Sequence, residues 1–264
     1  KTGHGAGKIS SDMKKILVGS PVNEMYDYCI KEYIEAIKSL TYKNYDLLLV
    51  DNSKTDAFYK KLKSMKVNVI KGKYFEEPRD RMVHSRNILR QKIIVDKYDY
   101  FLNIDQDVIP PKDIIERFLQ HKKRVVTGIY FNYKNFTPKK LGSREGTRYG
   151  KLFPTVWKFT NKKEVIRQLR EEELTGELMQ IASCGSGCLF IHNSVLKKIN
   201  FHYSKEHDRQ EKNYFVFDDA FFCKDLIDLK IPIYADTSMI CRHLIKQKGW
   251  TWADYYSKIE NNNI

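Results

Sequence analysis

The run Leu47-Leu48-Leu49-Val50, entered from Asp46 and closed by Asp51-Asn52-Ser53, constrains the fold most. Four apolar residues in a row leave no polar face, as expected of a strand covered on both sides. Similar segments recur through the first half. Lys15-Ile16-Leu17-Val18-Gly19 reads as a strand running into a turn at Ser20-Pro21. Val67-Asn68-Val69-Ile70, Tyr100-Phe101-Leu102-Asn103-Ile104 and residues 124–130 read as three more. Helical patterns separate them: Met25, Cys29, Tyr33, Ile37 and Leu40 at helical spacing, a helix near 84–95, and one from Pro111 to about His121. This alternation predicts an α/β fold with a doubly wound, mostly parallel central sheet. Such sheets bind ligands outside the carboxyl ends of their strands. Ser20-Pro21, Asp51-Asn52 and Asp105-Gln106-Asp107 all fall at such ends.

The second half is less regular. Residues 142–150 form a basic, glycine-rich loop, which suits either a lid or a solvated connection. Residues 162–173 read as a highly charged helix, and 181–191 as a strand region punctuated by Gly185 and Gly187. Asp218-Asp219 opens a helix with Phe222, Leu226 and Leu229 on its apolar positions, and Ile231-Pro232-Ile233-Tyr234-Ala235 gives a short strand before Cys241-Arg242-His243. Residues 1–12, Gly-rich and without Met, read as a flexible leader or remnant. Residues 13–248 read as one domain in two halves, 13–130 and 131–248, followed by a tail at 249–264. Trp157, Trp250, Trp252, Tyr255 and Tyr256 offer apolar faces for sugars, for packing or for a membrane surface.

The formal net charge of +14 favours anionic partners such as nucleotides, nucleic acid or an anionic membrane face. The charge is dispersed, which argues against a dedicated nucleic-acid stripe. No apolar run reaches the ~20 residues that span a bilayer. Five cysteines without zinc-site spacing read as thiols in a reducing compartment, so a cytoplasmic protein is expected.

Asp105 and Asp107 stand one residue apart at a strand end, where they can meet one divalent cation. A hard cation that keeps its waters takes one or two carboxylates together with substrate phosphate oxygens. A pair of aspartates in a solvated turn is the bland alternative.

The order of these motifs resembles the nucleotide-sugar-dependent glycosyltransferases of the GT-A fold, close to their family 2. The resemblance runs through Ile16–Val22, Leu49-Val50-Asp51-Asn52-Ser53, Ser85-Arg86-Asn87, Asn103-Ile104-Asp105-Gln106-Asp107, Gly185-Ser186-Gly187-Cys188, Phe217-Asp218-Asp219 and Cys241-Arg242-His243. It implies a donor site for a UDP- or GDP-sugar formed by Pro21, Val22, Asn23, Asp51, Arg86, Asp105 and Gln106. It implies Mn2+ or Mg2+ held by Asp105, Asp107 and His243. Asp219 becomes the general base for an acceptor hydroxyl, with Asp218 orienting it, although an aspartate at a helix start also caps free N–H groups. Gly185, Ser186 and Gly187 become sugar- or acceptor-binding, or else mark a bulge. Inversion is favoured and retention stays open. The acceptor is a glycan, a lipid-linked sugar or a protein, and peripheral association with the cytoplasmic face of a membrane stays open.

Two rivals use the same residues differently. A nucleotidyltransferase would carry a glycine-rich, basic phosphate loop after the first strand, which Ser20-Pro21-Val22-Asn23-Glu24 lacks. A basic nucleic-acid-binding module would show strongly salt-dependent affinity and no metal-linked nucleotide binding.

Overall fold

A computed structural model of the chain describes residues 13–136, 149–161, 165–204 and 217–245. The expected leader, most of the basic loop 142–150 and the aromatic tail lie outside these residues.

The strands are β1 (Ile16–Val22), β2 (Tyr45–Asp51), β3 (Val69–Lys71), β4 (Tyr100–Ile104), β5 (Val108–Ile109), β6 (Val125–Ile129), β7 (Phe131–Phe136), β8 (Tyr149–Pro154), β9 (Val156–Phe159), β10 (Ile166–Gln168), β11 (Leu178–Ile181), β12 (Ser183–Cys184), β13 (Cys188–His192), β14 (Ile233–Ile240) and β15 (Arg242–His243). The α-helices are α1 (Ile30–Lys38), α2 (Ala57–Ser64), α3 (Pro78–Val95), α4 (Ile114–Gln120), α5 (Asn193–Leu196) and α6 (Asp218–Asp228).

Eight strands form the central sheet in the order β11-β14-β6-β13-β4-β1-β2-β3. The pairings β14–β6, β4–β1, β1–β2 and β2–β3 are parallel. β13 runs antiparallel between β4 and β6, and β11 closes the edge antiparallel to β14. Three smaller antiparallel sheets complete the fold, β10-β9-β12, β15-β5 and β7-β8.

Strand alternation divides the core into two layers. Ile16, Val18 and Leu49 pack with Tyr33 and Ile37 of α1, Leu62 of α2 and Phe118 of α4. Leu17, Leu48 and Val50 pack with Leu89 and Ile93 of α3 and Phe222 and Leu226 of α6. Both faces of β2 are thereby covered, as its apolar run demanded. All five cysteines are buried free thiols, and burial first of all pushes the Cys29 thiol up to about 12.

Several elements differ from expectation. β1 does not turn at Ser20-Pro21 but stays extended to Val22. The segment after it begins as a 3-10 turn, Glu24–Cys29, capped by the Asn23 side chain, so Met25 is exposed while Tyr33 and Ile37 are buried. α3 starts at Pro78, six residues before the expected 84, with Glu77 capping the Arg79 N–H and the proline in the first turn. Of the charged segment 162–173, the described residues 165–173 are not an α-helix. Ile166–Gln168 pairs with β9, and Glu171–Glu173 is a single 3-10 turn. Arg167 and Lys158 both meet Glu173, so charges that mimic helical pairing instead bridge a strand and a turn. Arg167 above all holds the Glu173 carboxyl well below the usual carboxylate range.

Candidate active site

Because β1, β2 and β4 run parallel, their carboxyl ends meet at one edge of the sheet. A cleft of about 130 Å³ opens there between Pro21, Val22, Asn23, Tyr26, Asn52, Met82, Asp105, Gln106 and Asp107. Its walls are held by polar side chains. Gln106 accepts from the Asn23 N–H at 2.8 Å and donates to the Tyr26 carbonyl at 3.0 Å, which ties the β4 end to the turn after β1. The Asn23 amide donates to the Asn52 side-chain oxygen at 2.8 Å.

Asp51 stands behind this wall. It is 0% exposed, accepts from the Lys71 ammonium at 2.8 Å and from the Ser53 N–H at 2.9 Å. The neighbouring Asn52 lines the cleft in its place. Sequence reasoning put Asn52 at a ligand-binding strand end without giving it a role, and it missed Met82 and Tyr26. The 42% exposed Tyr26 ring is the one aromatic face among the described cleft residues. Its position just after a strand that ends in a polar cluster was the available signal.

Asp105 points away from a bare turn. Its Oδ1 accepts from Asn103 at 3.1 Å and from Arg86 Nη2 at 3.3 Å. Burial raises its carboxyl above the usual range, against the pull of Arg86. Asp107 faces the other way, with Oδ2 3.3 Å from His243 Nε2. Residues this far apart in sequence meet because β15 pairs with β5, setting His243 opposite Val108, and because the Leu244 N–H donates to the Asp107 carbonyl at 2.7 Å.

The other His243 nitrogen, Nδ1, lies 2.7 Å from the Phe131 carbonyl, so each ring nitrogen faces an oxygen. Neutral imidazole has one N–H, leaving one such contact without a proton. Burial opposes a charge on this ring, but the bond to Asp107 and its charge outweigh it, and the imidazole sits above its ordinary value. Among the described residues no group of three or more His, Cys, Asp and Glu side chains forms a metal cage. The arrangement fits a cation held by Asp107 and His243 with its other ligands from phosphate and water.

Arg86 lies not in the cleft but beneath it. It is buried on α3, and its guanidinium bridges Asp105 to Asp218 of α6. Burial acts to lower this group, and the carboxylates of Asp218 and Asp105 more than reverse that effect, leaving it above its usual value. Asp219, half-buried beside it, accepts from the Ala220 N–H at 2.7 Å. Burial first, and then the charge of Asp218, push its carboxyl up to about 6. A carboxyl poised near neutrality suits proton abstraction.

Gly185 and Gly187 have a role that sequence reasoning did not offer. A Cβ at Gly185 would lie 2.0 Å from the Tyr130 hydroxyl oxygen, and one at Gly187 2.6 Å from the ring. The Gly187 N–H donates to that hydroxyl at 3.2 Å, and the Ser186 carbonyl accepts from Asn103. The missing side chains therefore make room for Tyr130, whose ring meets His243 edge-on at 5.4 Å. Gly185→Ala is expected to lose about 1–3 kcal/mol in urea unfolding, as overpacking does. Adding Tyr130→Phe should recover part of that loss. An equal loss in both backgrounds would remove the contact as its cause.

The large, mostly parallel central sheet with its small antiparallel companions is the architecture of the GT-A fold. The chain belongs to glycosyl transferase family 2, whose profile matches residues 23–200. Among solved structures, residues 1–349 of TarS from S. aureus in complex with UDP-GlcNAc are 13% identical, with a TM-score of 0.53 over 92% of this chain and 64% of that one. The same TarS piece with UDP is 12% identical, with a TM-score of 0.48 over 90% and 59%. A197 from STIV is 15% identical, with a TM-score of 0.44 over 88% and 86%. The chain thus spans less than two thirds of the TarS chains it matches. A search of curated proteins finds no match to it. No helix among the described residues is long and apolar enough to cross a membrane.

Proposed function

We propose that this glycosyltransferase moves a sugar from a UDP- or GDP-sugar to a hydroxyl acceptor, with inversion, and depends on a divalent cation. The supporting observation is the convergence of two carboxylate sets on one buried cation. Arg86 bonds Asp105 of the strand-end pair and Asp218 of the acidic helix start, so donor and acceptor groups are held in fixed relation. The TarS structure with UDP-GlcNAc, similar in fold, favours a uridine donor.

The base and ribose occupy the cleft between Asn23, Asn52 and Tyr26, with the exposed Tyr26 ring against the base. Asp107 and His243 hold Mn2+ or Mg2+, and the imidazole favours manganese. When bound, the cation stabilises negative charge on the departing nucleoside diphosphate. Asp219 takes the proton of the acceptor hydroxyl as that oxygen bonds the anomeric carbon and the bond to the diphosphate oxygen breaks. Arg86 and Asp218 keep Asp219 in place. Tyr130, beneath Asp105 and His243, fixes the floor of the site.

A thermal-shift series with UDP, GDP and CMP, with and without Mn2+, tests this reading. A nucleotide at about a hundred times its Kd stabilises the native state by about 2.7 kcal/mol, a rise of roughly 5 °C or more. The expected result is a rise with one nucleoside diphosphate that manganese strengthens and Asp107→Ala abolishes. No response to any nucleotide from folded protein would overturn it. Salt-dependent DNA or RNA binding in its place would favour the nucleic-acid module.

A further inference from the structure

Among the described residues, four non-glycine residues have positive φ, and all four are lysines: Lys66, Lys97, Lys122 and Lys230, at φ of 52–56°. Each follows the carboxyl end of a helix, α2, α3, α4 and α6 respectively. Three of these ends are closed by bonds from Val67, Tyr98 and Ile231 N–H to the carbonyls of Leu62, Ile93 and Leu226. That motif ordinarily takes glycine just past the helix, because a Cβ is sterically disfavoured there. Here a long cation stands in glycine's place every time, and all four are exposed.

The topology brings them to one edge. The lysines stand three residues before the starts of β3, β4, β6 and β14, which run in the same direction. Lys14 and Lys15 precede β1, and Lys43 precedes β2. Every parallel strand of the central sheet is thus entered from a lysine, and Lys123 and Arg124 add to the row before β6. From β14 to β3 the row crosses six strand spacings, about 29 Å. The carboxylates on these connections are engaged: Asp99 by Lys14, Asp96 by Lys92, Asp228 by Lys224, and Asp46 by the Tyr98 hydroxyl. None of the four left-handed lysines pairs with a carboxylate among the described residues.

The helix dipole favours cations at helix ends. It does not account for the apolar side chains set among the lysines. Val95 is 62% exposed two residues before Lys97, Leu229 47% beside Lys230, Ile227 43% on the same last turn, and Met13 36% beside Lys14. Lysines interleaved with exposed aliphatic groups suit a lipid headgroup layer, where the cations meet phosphates and the apolar tips enter the acyl boundary. A nucleic-acid backbone would use the lysines and leave the aliphatic groups in water.

We propose that the amino-terminal edge of the central sheet docks on an anionic lipid surface. The catalytic carboxylates lie at the opposite strand ends, about 17 Å away along the five residues of β4. The cleft is therefore held above the bilayer, open to acceptors that stand clear of it. This inference does not rest on the proposed donor or base.

Vesicle flotation of the full chain tests it, with phosphatidylcholine alone and with phosphatidylcholine containing phosphatidylglycerol. The protein is expected to float with the anionic vesicles only, less so as salt rises. Each lysine contributes about fivefold to partition, so K66G/K97G/K122G/K230G should lower it on the order of several hundredfold. Glycine relieves the left-handed conformation, so this variant should melt higher than the parent and retain its nucleotide-induced thermal shift. Val95→Ser with Leu229→Ser should weaken the binding that survives high salt. Equal flotation with neutral vesicles, or undiminished flotation of the quadruple variant, would overturn the proposal. So would binding to duplex DNA or heparin through these lysines without vesicle binding, which would assign the row to a soluble polyanion.

Discussion

Replacing Arg86 by methionine is expected to remove about 3–5 kcal/mol of folding stability, as does deleting one partner of a buried ion pair. Methionine nearly preserves the volume and the contact with the Phe201 ring, which lies 6.0 Å from the guanidinium. What it loses is the charge. Asp218 is buried and Asp105 mostly so, and both turn an oxygen to this one cation. Without it, two carboxylates face each other with Asp107 and Asp219 close by. Arg86→Lys separates charge from geometry. One ammonium cannot span both carboxylates as the planar fork does. It should keep part of the stability but let Asp105 and Asp218 drift, so transfer falls more than stability. Urea unfolding beside a transfer assay measures both. A loss below about 1 kcal/mol for the methionine variant would show that the bridge behaves as a surface pair.

That bridge also marks where sequence reading runs out. Strand ends are legible where the signal is local: an apolar run closed by polar residues declares both strand and edge, and β2 and β4 lie where their runs lie, while β1 continues past its own to Val22. The pairing of Arg86 with Asp218 spans 132 residues, and nothing in either neighbourhood announces it. From sequence Arg86 suits a nucleotide phosphate equally well. The same limit separates Asp51 from Asn52. Both terminate β2, and only the distant choice of Lys71 as partner turns the first inward and leaves the second on the cleft. His243 could be placed near Asp107 only through resemblance, since the β15–β5 pairing is two residues long. The glycines at 185 and 187 were visible as special, but their reason is a tyrosine more than fifty residues earlier. Residues 162–173 misled because charge pairing looks alike on a helix face and across a strand and turn. At 66, 97, 122 and 230 the usual glycine signal for a helix end is absent.

Asp219→Asn is expected to slow transfer by about 10²–10⁴, the usual contribution of a positioned general base, while sparing the nucleotide-induced thermal shift. It should also stabilise the protein at neutral pH. Burial and the neighbouring Asp218 push the Asp219 carboxyl up to about 6 in the folded chain, above the ordinary aspartate value of about 3.9. A carboxyl raised on folding contributes stability that is complete below its unfolded value and is lost as pH rises through about 6. Above that pH the wild-type protein holds an unfavourable charge beside Asp218, and asparagine does not. That rise corresponds to roughly 3 kcal/mol at most. Solvent at the half-buried side chain reduces it, so about 1–2 kcal/mol is expected at pH 7.5, fading below pH 4. Asparagine retains an oxygen for the Ala220 N–H, so the cap is kept. The wild-type rate should rise with pH through the same value near 6, because only the ionised carboxyl accepts a proton. A base and a cap therefore part on one measurement. If Asp219 only caps α6, asparagine leaves transfer nearly intact and the acid limb of the rate profile stays where it was. If it is the base, activity falls, stability at neutral pH rises, and that limb disappears from the residual rate.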